Sequence, residues 1–118
     1  MQIKIIIVLF VLLPLVVFAK PIKTVELEIK KTPVSDLSID EQINHYTALY
    51  GVEGSLIKKI VQCESEYKVT ALGDGGRAYG LMQYHKASFE RHAKLFGEDL
   101  DYYSSHDQIK LGTWAVAN

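Results

Sequence analysis

The chain of 118 residues carries 13 Lys and Arg against 14 Asp and Glu, a formal net charge of −1. That near-balance leaves no electrostatic footprint for nucleic acid or an anionic lipid surface, so neither is expected as a partner. The single cysteine, Cys63, excludes an internal disulfide, and no Cys/His spacing resembles a zinc site, so no metal or cofactor is expected.

Met1-Gln2-Ile3-Lys4 bears one positive charge, and an apolar run extends from Ile5 to Ala19. Val17-Phe18-Ala19 before polar Lys20 has the layout of a signal-peptidase site, so residues 1–19 read as a secretory signal peptide. The run is 15 residues long, short of the ~20 that a spanning helix needs. The alternative is an uncleaved anchor, a membrane tether through residues 5–19. Either way the remainder is expected to be exported, to the periplasm, the cell envelope or the medium. The leader inflates the 48% hydrophobic composition, and the rest of the chain is long enough for one small domain.

Residues 20–37 contain two prolines and many charges. Val25, Leu27 and Ile29 alternate with Glu26, Glu28 and Lys30 in the pattern of a short edge strand, but a solvated, extended linker is the preferred reading.

The period becomes helical at Ser38. Ser38 with Glu41 fits a capping box, and Ile39, Ile43, Tyr46 and Tyr50 recur at three- and four-residue intervals up to Gly51. A second helix is predicted from about Ser55 to Cys63 or Glu64, burying Leu56, Ile57, Ile60 and Val61. Residues 66–79 read as loop, because Gly73-Asp74-Gly75-Gly76 cannot sustain a helix. A third helix is predicted over roughly 86–96, packing Phe89, Ala93 and Phe96 and ending at Gly97. Ser105 with Gln108 suggests the cap of a last helix containing Ile109, Gly112 and Val116. No strong strand is expected after residue 37, so the domain over 38–118 is predicted to be mainly α.

Glu64 stands out. Counting back by fours gives Ile60 and Leu56, so it continues the apolar stripe of the second helix. A carboxylate there is expected to be shielded from water and close to the negative end of the helix dipole. Both effects favour a proton held near neutral pH, as protonating a glycosidic oxygen requires. The competing reading is a frayed helix end with Glu64 turned to solvent.

Further residues favour the chemical reading. Glu64-Ser65-Glu66-Tyr67 is succeeded, after the glycine-rich loop, by Gly80-Leu81-Met82-Gln83. Together these resemble the first two signatures of the lytic transglycosylase (SLT) domain, a Glu-Ser-x-aromatic motif and a Gly-Leu-Met-Gln stretch. Tyr46, Gly51, Val52 and the Leu56–Ile60 run resemble the preceding helices, so the likeness covers about residues 40 to 118. It implies a lysozyme-like helical domain with a groove for peptidoglycan glycan strands. It also implies cleavage of the β-1,4 bond between N-acetylmuramic acid and N-acetylglucosamine, leaving a 1,6-anhydro end.

In that scheme one carboxylate suffices, with Glu64 as proton donor and then acceptor, because the substrate's 2-acetamido group and C6 hydroxyl supply the nucleophiles. Most glycosidases need two carboxylates. Ser65 is assigned either to the acetamido group and the acid or to a local backbone carbonyl. Gln83, a donor and acceptor together, suits sugar amides or the orientation of Glu64, and Gly80 allows close backbone approach. Met82 is read as groove wall or core filler. Tyr67, Tyr79 and Tyr84 offer rings to stack on sugars, Tyr67 equally a ring for the core. A family member usually continues with Ala-Tyr-Asn and a glycine. Here Trp114-Ala115-Val116-Ala117-Asn118 resembles a variant of that third motif, with Ala117 at the tyrosine position and Asn118 placed in the sugar-binding set. The domain is therefore expected to be either cut short on its C-terminal side or unusually minimal.

Three rival classes remain. Asp74 holding a water would make the enzyme an inverting, lysozyme-type hydrolase. A protein that keeps the groove but turns over poorly would act in glycan binding or wall assembly. A thiol hydrolase would need Cys63 beside His45, His85, His92 or His106.

Overall fold

A computed structural model describes residues 32–118. The signal or anchor segment, the alternating Val25–Ile29 stretch and most of the linker lie outside the described residues. Among the described residues no helix is long and apolar enough to cross a membrane.

Four helices and one small sheet occur in chain order: α1 Ile39–Tyr50, α2 Gly54–Ser65, β1 Leu72–Gly73, β2 Ala78–Tyr79, β3 Tyr84–His85, α3 Lys86–Phe96 and α4 Ser105–Ala117. The domain is mainly α, consistent with a lysozyme-like domain. The capping box forms as the sequence predicts. The Ser38 hydroxyl accepts from the Glu41 amide at 3.4 Å, and the Glu41 carboxylate accepts from the Ser38 amide at 2.9 Å. Each side chain thereby satisfies an amide that the first turn leaves without an intrahelical partner. Gly51 and Gly97 end α1 and α3 in the left-handed region, as residues without a Cβ do at little cost.

The end of the predicted linker is folded. Val34–Asp36 makes one 3-10 turn, and the Gln42 side-chain amide of α1 donates to the carbonyls of Leu37 at 2.7 Å and Ser35 at 3.3 Å. Val34 packs against the core.

Two corrections concern α2 and the loop behind it. The helix runs through Ser65, and its buried stripe is Ile57, Val61 and Ser65. Leu56 is 44% exposed and Ile60 only half-buried, so the stripe lies one residue further along than the sequence suggests. The segment read as loop, 66–79, carries two strands of a three-stranded antiparallel sheet in the order β1-β2-β3, whose third strand lies just beyond it, with Leu72 opposite Tyr79 and Ala78 opposite His85. Strands of two residues are too short to show alternation, so periodicity has no purchase on them.

The core has two parts. Ile43, Tyr46, Ile57, Val61, Leu81 and Ile109 form one cluster between α1, α2 and α4. Phe89, Ala93, Tyr102 and Leu111 form the other between α3 and α4. Helix α4 serves both, burying Gln108, Ile109, Leu111, Gly112 and Thr113. Leu81 of the second signature is a core residue of the first cluster, which pins that signature against α2.

Candidate functional site

The first signature begins on the last turn of α2. Ser65 is 6% exposed, and its hydroxyl donates to the Val61 carbonyl at 3.0 Å. This is the local-carbonyl role, and it turns the Ser65 hydroxyl inward. Glu64 precedes it and is exposed, which overturns the expectation that its carboxylate sits on the apolar stripe away from water. The reason is the register of α2: with Val61 and Ser65 facing the core, the position before Ser65 rotates about 100° toward solvent. Glu66 pairs with Lys68 at 3.4 Å, whereas no hydrogen bond or ion pair engages the Glu64 carboxylate among the described residues.

Beyond Ser65 the backbone reverses sharply. Glu66 and Tyr67 both take left-handed angles, φ 51° and 62°, and the Glu66 amide donates back to the Gln62 carbonyl at 3.1 Å. The reversal turns the Tyr67 ring against the first core cluster and brings its hydroxyl to Asp40 of α1 at 3.4 Å. Tyr67 thus packs against the core, and its side chain is half-buried.

Backbone hydrogen bonds then step from one signature to the other. The Lys68 amide donates to the Ser65 carbonyl at 2.9 Å, Ala71 to Lys68 at 3.1 Å, Gly80 to Ala71 at 2.8 Å and Gln83 to Gly80 at 3.3 Å. The Gln83 side-chain amide reinforces the last steps, donating to the carbonyls of Ala71 at 3.1 Å and Gly80 at 2.9 Å. Gln83 thus holds the loop together and makes no hydrogen bond to Glu64. Its own backbone is left-handed at φ 47°, as is Asp74 at φ 49°. Among the described residues every non-glycine residue with such angles (Glu66, Tyr67, Asp74, Gln83) falls within the two signatures or between them. Strain of this kind costs on the order of 1–3 kcal/mol per residue and concentrates where function needs an unusual backbone.

Asp74 is fully engaged. One oxygen accepts from Arg77 at 2.7 Å and the other lies 2.9 Å from His85 Nε2. Each oxygen thus carries one partner, and the side chain remains 44% exposed. No hydrogen bond joins Cys63 to a histidine among the described residues. Cys63 is exposed, Asp74 engages His85, and His106 lies between the Tyr46 hydroxyl at 2.6 Å and Asp107 at 2.8 Å. Among the described residues no group of His, Cys, Asp and Glu is arranged to hold a metal.

Sequence reasoning missed Gln108. It is not a capping residue. The cap of α4 is Ser104, whose hydroxyl accepts from the Asp107 amide. Gln108 is 1% exposed, accepts from the Met82 amide at 3.2 Å and donates to the Tyr102 carbonyl at 2.8 Å. It clamps the second signature from below. The available signal was a glutamine directly before the buried Ile109, on the helix face that also carries Gly112. Met82 packs where Gly112 lacks a side chain: a Cβ there would stand 2.4 Å from the Met82 methyl. Tyr84 packs edge-on against Phe89, and burial raises the pKa of its hydroxyl to about 12. Tyr79 is half-buried beside Tyr102 and Tyr103. Asn118 is exposed, its amide donating to the Trp114 carbonyl at 2.9 Å; it closes its own helix and no contact carries it to the other site residues. No enclosed pocket is found among the described residues.

Comparison with curated proteins and with solved structures returns no match. A family model does match, the transglycosylase SLT domain, over residues 41–117. That span takes in α1 from its third residue, α2 through α4, both signatures and the Gln108 clamp, and on it this chain belongs to the transglycosylase SLT domain family of the lysozyme-like superfamily.

Proposed function

We propose that this protein is a peptidoglycan lytic transglycosylase that cuts between N-acetylmuramic acid and N-acetylglucosamine, with Glu64 as its acid and base. The observation that carries the reading is the junction of the two signatures. All the left-handed non-glycine backbone of the described residues lies there, a run of hydrogen bonds ties one signature to the other, and Glu64 stands at its edge with no partner among the described residues. Glu64 donates its proton to the departing oxygen as the C1–O4 bond breaks and the acetamido oxygen closes onto C1. The resulting carboxylate takes the proton of the C6 hydroxyl as O6 displaces the acetamido oxygen, so no water is consumed. Assistance of this kind is typically worth ~10²–10⁴ in rate. Because Glu64 is exposed, the glycan strand itself must cover it.

The same exposure favours one second reading, a glycan-binding or wall-assembly protein with slow turnover. Incubating the full chain with purified sacculi and weighing the released muropeptides separates them. Anhydro ends support the transglycosylase and reducing ends a hydrolase. Sedimentation with sacculi without soluble fragments indicates the binding protein.

A further inference from the structure

We propose that Tyr103 is an outer sugar-stacking position for the glycan strand, an inference that rests on the reading of the site as a glycan site. Tyr103 is 61% exposed, yet its ring is held from two sides. Its centroid lies 5.1 Å from Tyr79 at 73° and 5.0 Å from Tyr102 at 70°. Tyr102 is buried, stands edge-on to Phe89 at 5.6 Å and anchors the group in the second core cluster. Aromatic rings prefer this edge-to-face arrangement, and here it leaves the outermost ring open to solvent.

The backbone beneath that ring is equally fixed. The Tyr103 amide donates to the Asp101 carboxylate at 2.9 Å, the Asp101 amide donates to the Asp107 carboxylate at 2.9 Å, and Ser104 closes the turn onto the Asp101 carbonyl at 3.1 Å. Little conformational freedom remains to be lost on binding, which is the main cost of ordering a surface side chain against a ligand. The position relative to the signatures is what points to a glycan. Tyr79 directly precedes Gly80, and the Tyr102 hydroxyl donates to the Tyr84 carbonyl at 2.7 Å, so the tyrosine group grips both ends of the Gly80–Gln83 turn. The open ring thus lies one aromatic ring away from the second signature. A sugar presents a flat C–H face with hydroxyls at its rim, and a fixed phenol ring matches it on both counts. A strand bound across the second signature meets Tyr103 only if it is long enough to reach past Tyr79.

The test is calorimetric binding of N-acetylglucosamine oligomers, a trimer and a hexamer, to the full chain and to its Tyr103→Ala and Tyr103→Trp variants. Tyr103→Ala is expected to weaken the hexamer about tenfold and leave the trimer within twofold, with Tyr103→Trp retaining the native hexamer affinity. Hexamer binding unchanged in Tyr103→Ala, or lost equally in Tyr103→Trp, overturns the stacking role while leaving the glycan site intact. If the unaltered chain binds neither oligomer nor sacculi, the glycan reading itself falls and this position falls with it.

Discussion

Gln108 occupies the space that a side chain on Gly80 would need. A Cβ at Gly80 would stand 2.4 Å from Gln108 Nε2 and 2.5 Å from its Oε1, and Gly80 holds φ 79°. The glycine of the second signature is thus required by a buried amide as well as by its backbone angle. Gly80→Ala combines left-handed strain with an overpacked neighbour. Its expected cost is about 2–4 kcal/mol, read as a lower denaturant midpoint, with glycan cleavage lost in parallel.

The converse deletion tests the clamp itself. Gln108→Ala leaves the Met82 amide and the Tyr102 carbonyl without their partner in a dry interior, a desolvation penalty of about 1–3 kcal/mol for each group not rescued by water. Amide hydrogen exchange at Met82 is expected to accelerate sharply in this variant while amides within α1 keep their protection. Unchanged exchange at Met82 would falsify the clamp.

Gly112 makes an instructive contrast. Its added Cβ would also meet a close neighbour, at 2.4 Å, but that neighbour is the terminal methyl of Met82, the flexible end of an adaptable side chain. Gly112 lies within α4, where alanine is the better helix former by ~1 kcal/mol. Gly112→Ala is therefore expected to lie within about 1.5 kcal/mol of the native chain, well short of Gly80→Ala. Equal losses in the two unfolding curves would show that the difference in neighbours does not matter.

Glu64→Gln separates chemistry from stability. The side chain is exposed and has no partner among the described residues, so the substitution should shift the unfolding free energy by no more than about 0.5 kcal/mol. Release of soluble muropeptides from sacculi should fall by at least ~10². Ordinary turnover by this variant would end the assignment of Glu64.

Alkaline pH should loosen the fold. The pKa of the Tyr46 hydroxyl is raised to about 12, first by burial and then by Tyr50, Asp107 and Glu98, and burial alone raises that of Tyr84 to about 12. In the unfolded chain both ionise near the ordinary value of 10. Between these values the folded state binds the more protons, so stability falls as pH rises. The neutral phenols contribute fully below pH 10, and each contribution declines by up to about 1.4 kcal/mol per pH unit above it. Denaturant midpoints across that window, monitored together with tyrosinate absorbance, should show the decline. It should be reduced in Tyr46→Phe, which has no proton to lose.

Local rules were enough for the helices. Ser38 with Glu41, Gly51, the Phe89–Ala93–Phe96 spacing and Gly97 mark α1 and α3 almost to the residue, because caps and apolar periodicity act within a few positions of chain. The two signatures were likewise legible as residue types at a spacing. What they do locally was decided elsewhere in the molecule. Leu56 and Ile57 are both apolar, so composition alone does not say which of the two faces inward. Contact with α1, Leu81 and α4 makes it Ile57, and that choice carries Ser65 inward and Glu64 outward. The roles of Gln83 and Gln108 depend on backbone groups as many as 26 residues away in sequence but adjacent in space. A glutamine reads as a surface residue until tertiary packing hands it a buried backbone to satisfy. Helix boundaries are set by neighbours along the chain, whereas the direction in which the catalytic candidate points depends on which stripe of α2 the rest of the domain covers.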